Sequence, residues 1–184
     1  MRHHWRMATM LTTIVLAPFA AVHAQHEQHA MSAGSTPKSG DNALPPSVVG
    51  DIARLRAATA AFKLLDSAVA AGYERSVSKC ISYPQVGGMG YHHQNAALLD
   101  GRLEVEHPEI LVYRRAANGA YELTGVEYEV PYAVAPRDSA PPTIMGQPLK
   151  HFDAIKMWYL HVWPWLDNPS GMFADWNPNV TCGE

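Results

Sequence analysis

The pattern of apolar and polar positions changes character three times along this chain. A first apolar run, Met10 to Ala21, has no period and follows Arg2 and Arg6. It is broken by Pro18 and is too short for a bilayer-crossing helix, which needs roughly 20 apolar residues. It ends in Val22-His23-Ala24, a small-x-small cleavage signal, so residues 1–24 read as a secretory signal peptide. Residues 25–47 are rich in Gln, His, Ser, Gly and Pro and show no period, which predicts a disordered tether. From Val48 the apolar positions Ile52, Leu55, Ala58, Phe62, Leu65 and Val69 recur every three or four residues. That spacing predicts one long amphipathic helix over 48–71. Ser47 would cap it, Asp51 would sit in its first turn, Gly72 would follow its end, and Arg56, Thr59, Lys63 and Ser67 would line a polar side.

Beyond Gly72 the period falls to two. Residues 109–115 and 121–130 are rich in β-branched and aromatic side chains and flank Asn118-Gly119, a strong hairpin signal. Residues 156–163 predict a third strand, and residues 89–93 a shorter fourth. Five prolines make 131–150 a loop, and Asn168-Pro169-Ser170-Gly171 and Asn177-Pro178 are turns. The expected fold is α+β: one long N-terminal amphipathic helix packed on a curved antiparallel β-sheet or partial barrel, in a single domain over 48–184.

Charge and cysteine usage narrow the function. Without the two leader arginines, 12 basic and 17 acidic side chains remain, a net charge of −5. That argues against a nucleic-acid partner, which needs a basic surface. With no second long apolar segment, no stable membrane insertion is expected once the leader is removed. An exported chain, periplasmic or secreted, meets an oxidising environment, so Cys80 and Cys182 are expected to form a disulfide. The rival reading, two thiolate metal ligands, is weaker because neither cysteine has a CxxC partner.

Three polar groups stand out among apolar neighbours. A two-residue Asn118-Gly119 turn would pair residues whose numbers sum to 237. Glu127 then faces Ile110 and shares a face with Val112, Leu123 and Gly125. The opposite face, with Leu111, Tyr113, Val126 and Tyr128, is apolar too, so both faces are expected to be covered. A carboxylate on an apolar face is costly unless paired, protonated or metal-bound. His161 alternates with Met157, Tyr159 and Trp163, and His92 and His93 follow the glycines at 87, 88 and 90. Adjacent residues of a strand point to opposite faces, so only one of His92 and His93 can join Glu127 and His161. Imidazole plus carboxylate is a common set for a divalent transition metal, zinc or copper, and leaves coordination positions open. Tyr91, Asn95, Tyr128 and Trp163 are candidates to orient such ligands. His26, His29 and Met31 in the tether are further metal-ligating types, whereas His107 and His151 read as surface residues.

At these positions the chain resembles a set of small secreted bacterial proteins of unassigned function, sharing the GMGYHH, VEY, LHVW and NPxGxFxxWNP motifs. The resemblance runs from about Gly72 to Cys182 and includes both cysteines. It implies that Tyr91, His92, Glu127, His161 and Trp163 belong to a shared pattern, and it implies no activity.

Three functions follow in order of preference. The first is binding of a metal ion. The second is an enzyme using Glu127 and His161 as an acid/base pair or a metal site. The third is a non-catalytic binding module in which Trp158, Trp163, Trp165, Phe173 and Trp176 line a ligand groove or a partner surface. No phosphate-binding loop, dinucleotide fingerprint or nucleophile elbow is present, so no nucleotide cofactor is expected.

Overall fold

The computed structural model describes residues 44–74 and 79–182, which belong to one compact unit. The expected signal peptide, and the tether with His26, His29 and Met31, lie outside the described residues up to residue 43. The first described element is the helix α1, Pro46–Thr59. It begins well inside the chain rather than at its N-terminus, and it takes in the last two residues of the expected tether. Pro45 precedes it and Pro46 occupies its first position, where a missing N–H costs nothing. Ser47 is therefore inside the first turn rather than capping it, and Asp51 lies beyond that turn.

The expected single helix is interrupted. After Thr59 the coil tightens into a 3-10 turn over Ala60–Lys63, Leu64 is extended, and a short helix α2 follows over Leu65–Ala70. Tertiary packing decides this break. The buried Tyr113 hydroxyl donates to the Phe62 carbonyl at 2.6 Å, taking an acceptor that a continuous helix would use itself. Thr59, expected on a polar side, is buried: its hydroxyl donates to the Leu55 carbonyl and accepts from the Trp165 indole N–H. Lys63 lies over the Trp165 ring.

The rest is a curled six-stranded antiparallel sheet forming half a barrel. Its strands are β1 (Ile81–Tyr83), β2 (Gly87–Gln94), β3 (Ile110–Arg115), β4 (Tyr121–Pro131), β7 (Lys150–Phe152) and β8 (Met157–Val162), in the order β1-β2-β3-β4-β8-β7. The proline-rich stretch also holds a two-stranded ribbon, β5 (Thr143–Ile144) with β6 (Gln147–Pro148). The short pieces β1, β5, β6 and β7 carry too few residues to show a period and were not expected as strands.

Both sheet faces are covered. One carries Leu111, Tyr113, Val126, Tyr128, Trp158, Leu160 and Val162, packed with Val48, Ile52 and Leu55 of α1. The other carries a smaller cluster of Ile110, Val112, Trp163 and Val180, roofed by the C-terminal segment. Gly88 and Asn177 exchange backbone hydrogen bonds, and Cys80 is disulfide-bonded to Cys182. The C-terminal segment is thus tied to β1 and β2. A disulfide is what an oxidising, extracytoplasmic environment favours. No helix among the described residues is long and apolar enough to cross a membrane.

Candidate metal centre

Two departures from the expected hairpin cancel at the site. The turn is a three-residue loop, Ala117-Asn118-Gly119, closed by the Ala116 N–H donating to Ala120, with Gly119 at φ 80°. Pairs near the turn therefore sum to 236, as in Tyr113 with Leu123. A bulge at Thr124 then restores the expected register, giving Val112 with Gly125 and Ile110 with Glu127. Leu123 is flipped into the helix-covered core as a consequence, against expectation, while Glu127 keeps its predicted face. The bulge residue is itself held: the Thr124 hydroxyl donates to Val112, and its carbonyl accepts from Trp165 and Leu166.

Across the next ladder Glu127 pairs directly with His161. His92 comes from β2, opposite Val112. In a sheet the second neighbouring strand is about 9–10 Å away, so His92 reaches Glu127 only by leaning over β3. Gly125 shapes this region: a Cβ there would come within 3.0 Å of the Trp163 ring. That ring stacks on His161 with planes 10° apart, and its indole N–H is anchored on the Ala174 carbonyl. A hydrogen bond to the Gly90 backbone helps orient the His92 ring.

The three ligand-type atoms converge. His92 Nε2 lies 3.2 Å from His161 Nε2 and 3.3 Å from Glu127 Oε2, and His161 Nε2 lies 3.7 Å from Glu127 Oε2. A tetrahedral ion with bonds of 2.0–2.1 Å has ligand–ligand edges of about 3.3–3.4 Å. Glu127 and His161 are buried, with side-chain exposures of 8% and 1%, and His92 is mostly buried, at 12%. Burial, the largest cause in each case, disfavours the charged forms. It pushes the Glu127 carboxyl well above the usual range, with Glu129, Asp175 and Glu109 adding to the rise. It lowers His92 to about 4, with His93 adding to the fall, and takes His161 far below its ordinary value, with His92 and Lys150 adding to it. The metal-free cluster at mildly acidic pH is therefore one carboxylic acid and two neutral imidazoles.

Other candidates lie elsewhere. His93 is on the opposite face, because it is one residue from His92 on an extended strand. Its Nδ1 meets the Glu74 carbonyl at 2.9 Å and its ring packs edge-on to Tyr113. Tyr91 shares that face and donates to the Cys182 carbonyl. Tyr128 alternates away from Glu127 and donates to the Val105 carbonyl. Asn95 is beyond the end of β2, where it donates to the Ala71 carbonyl and accepts from the Ala97 N–H. Of the expected orienting residues, Trp163 alone touches the cluster. Of the residues expected in an aromatic groove, Trp158 is buried in the main core with its indole N–H on the Ala135 carbonyl, Trp163 lies in the smaller core, Trp165 packs against Thr59 and Lys63, and Trp176 lines a cleft. His107 and His151 are surface residues, as expected, beside Glu104 and Asp153.

A cleft of about 610 Å³ opens over His92 and Glu127 and adds Gln94, Glu129, Tyr159 and Asp175 to the polar inventory. Glu129 was legible, since it is two residues from Glu127 on the same strand face. Asp175 was not, because a loop brings it. Glu109 is a further buried carboxyl: one oxygen accepts the Glu129 N–H and the other has no hydrogen-bond partner among the described residues. Burial lifts its pKa to about 8. The folded state thus holds a proton that the unfolded chain releases near the ordinary value, and stability falls as pH rises through that window. Glu109→Gln is expected to be more stable than the parent by about 2–3 kcal/mol at pH 8 and to match it at pH 4. Urea titrations across that range measure this.

The fold and the cluster define a class: an α+β half-barrel with a buried His/Glu/His group at metal-binding distance within its sheet. No protein-family model, curated protein or solved structure matches this chain.

Proposed function

We propose that this is an exported metal-binding protein, periplasmic or secreted, in which His92, Glu127 and His161 hold one divalent transition-metal ion. The observation that carries this is the triangle of ligand atoms, whose 3.2, 3.3 and 3.7 Å edges suit tetrahedral coordination. Two nitrogens and one oxygen suit zinc first and copper second. Three protein ligands leave a fourth position for water or a small molecule. The sequence motifs around Tyr91, His92, Glu127, His161 and Trp163 agree with a shared role for this region.

An enzymatic reading has a specific support, since the cleft gives a bound ion access to small molecules and a metal-bound water is a nucleophile. The metal-free acid/base version is weaker. Glu127 and His161 are 3.7 Å apart, too long for the hydrogen bond that would pass a proton between them.

The untagged mature protein is expected to retain one equivalent of zinc after dialysis, by elemental analysis. Calorimetry at pH 5.5 in buffers of different ionisation enthalpy adds a sharper test. The shifted groups predict release of about one proton, from Glu127. Two ordinary histidines would release about two instead. Absence of bound metal rejects the proposal.

A further inference from the structure

The described residues carry eight large hydrophobic side chains that are substantially exposed. Four of them, Ile81, Tyr83, Phe152 and Ile155, line the cleft over the cluster, at 48%, 54%, 48% and 53% exposure. Scattered exposed hydrophobics need no explanation, but a contiguous set around converging polar groups marks a ligand site. The volume of about 610 Å³ falls inside the range of small-molecule pockets, roughly 300–1,000 Å³. Met157 and Trp176 complete the apolar wall, and Tyr83 packs edge-on to Trp176 at 5.0 Å.

The polar groups lie among these walls and have one sign. Glu127, Glu129 and Asp175 line the cleft, and among the described residues no lysine or arginine does. Lys150 is paired with Asp175 at 2.5 Å. Glu129 is occupied by the Gln94 side-chain amide at 2.7 Å. Away from the ion, a negative charge on the ligand would meet these carboxylates, and Lys150 is already held by Asp175. His92 and Glu127 border the cleft and His161 does not, so the free coordination position of an ion held by all three faces the apolar walls.

We propose that this cleft takes a neutral aromatic small molecule bearing one nitrogen or oxygen donor, the donor filling the ion's open position and the ring lying among Tyr83, Phe152, Ile155 and Trp176. This rests on the metal-centre reading. The probe pair is imidazole and 4-phenylimidazole, titrated into the cobalt(II)-loaded protein and followed by the visible cobalt bands. Burying the phenyl ring is expected to make 4-phenylimidazole bind at least about tenfold tighter than imidazole. Adding a carboxylate to that ring, as in 4-(imidazol-4-yl)benzoate, is expected to reverse most of the gain. In Phe152→Ala/Ile155→Ala the preference should shrink below about threefold while imidazole binds as before, which also reports an intact fold. Equal affinities of the parent for imidazole and 4-phenylimidazole, with normal cobalt bands, overturn the ligand class and leave the metal centre standing. No cobalt bands at all overturn both.

Discussion

Glu127→Gln is expected to abolish stoichiometric metal binding and at the same time make the metal-free protein more stable. The first effect follows from losing the one anionic ligand of the cluster. Structural zinc binding is worth about 10–16 kcal/mol, or roughly 3–4 kcal/mol per ligand, so affinity should fall by roughly a few hundredfold or more. The second follows from burial. The carboxyl stands in a site whose desolvation, reinforced by Glu129, Asp175 and Glu109, resists ionisation. Its folded pKa is raised, so its contribution is intact below the unfolded value and is lost as pH rises toward the folded one. A neutral amide of the same shape avoids that loss, so the metal-free variant is expected to be more stable than the parent at pH 8. Elemental analysis and urea denaturation of parent and variant, each with and without zinc, read both effects. A variant less stable than the metal-free parent would show that Glu127 is a structural hydrogen-bonding group. His161→Ala should lose the metal too, but with a cavity beside Trp163 and therefore lower stability.

Breaking the disulfide is the second large effect. Cys80 and Cys182 are 102 positions apart, and closing a loop of that length restricts the unfolded chain by about 4–5 kcal/mol in the chain-entropy model. Cys80→Ser/Cys182→Ser is expected to lose most of that, seen as a lower urea midpoint that added reductant no longer changes. The position of the bond adds a local consequence. Cys80 leads into β1, which supplies Ile81 and Tyr83 to the cleft, and Cys182 ends the segment that supplies Asp175 and Trp176. The bond therefore holds two walls together, and binding of a cleft ligand should weaken in the reduced protein under conditions where it is still folded. Unchanged stability on reduction would mean that packing of Val180 against Ile110 and Val112, with the Gly88–Asn177 bridge, suffices alone.

Much of the site was legible because a strand's period of two is insensitive to small errors. Glu127 was placed opposite Ile110 from the Asn118-Gly119 turn, although that turn is one residue longer than assumed. The bulge at Thr124 returned the register, and the same bulge moved Leu123 to the other face. Alternation also required that His92 and His93 part company, but local pattern alone could not say which one faced Glu127. The helix was legible as an amphipathic stripe and its break was not, because the break depends on Tyr113, some fifty residues away in sequence.

What the sequence by itself determined is set by local chemistry. It includes the helix-then-sheet order, the α+β class, the pairing of two cysteines in a chain with no other, and a Glu and a His stranded among apolar neighbours. What only the tertiary structure decided is set by distant contacts. It places His92 rather than His93 in the cluster, at 3.2–3.3 Å from its partners. It also assembles β1, β7 and the C-terminal loop into a cleft that no one segment encodes. Periodicity reports the face on which a side chain lies. The atoms it meets there depend on how far the sheet curls and on what the chain later lays across it.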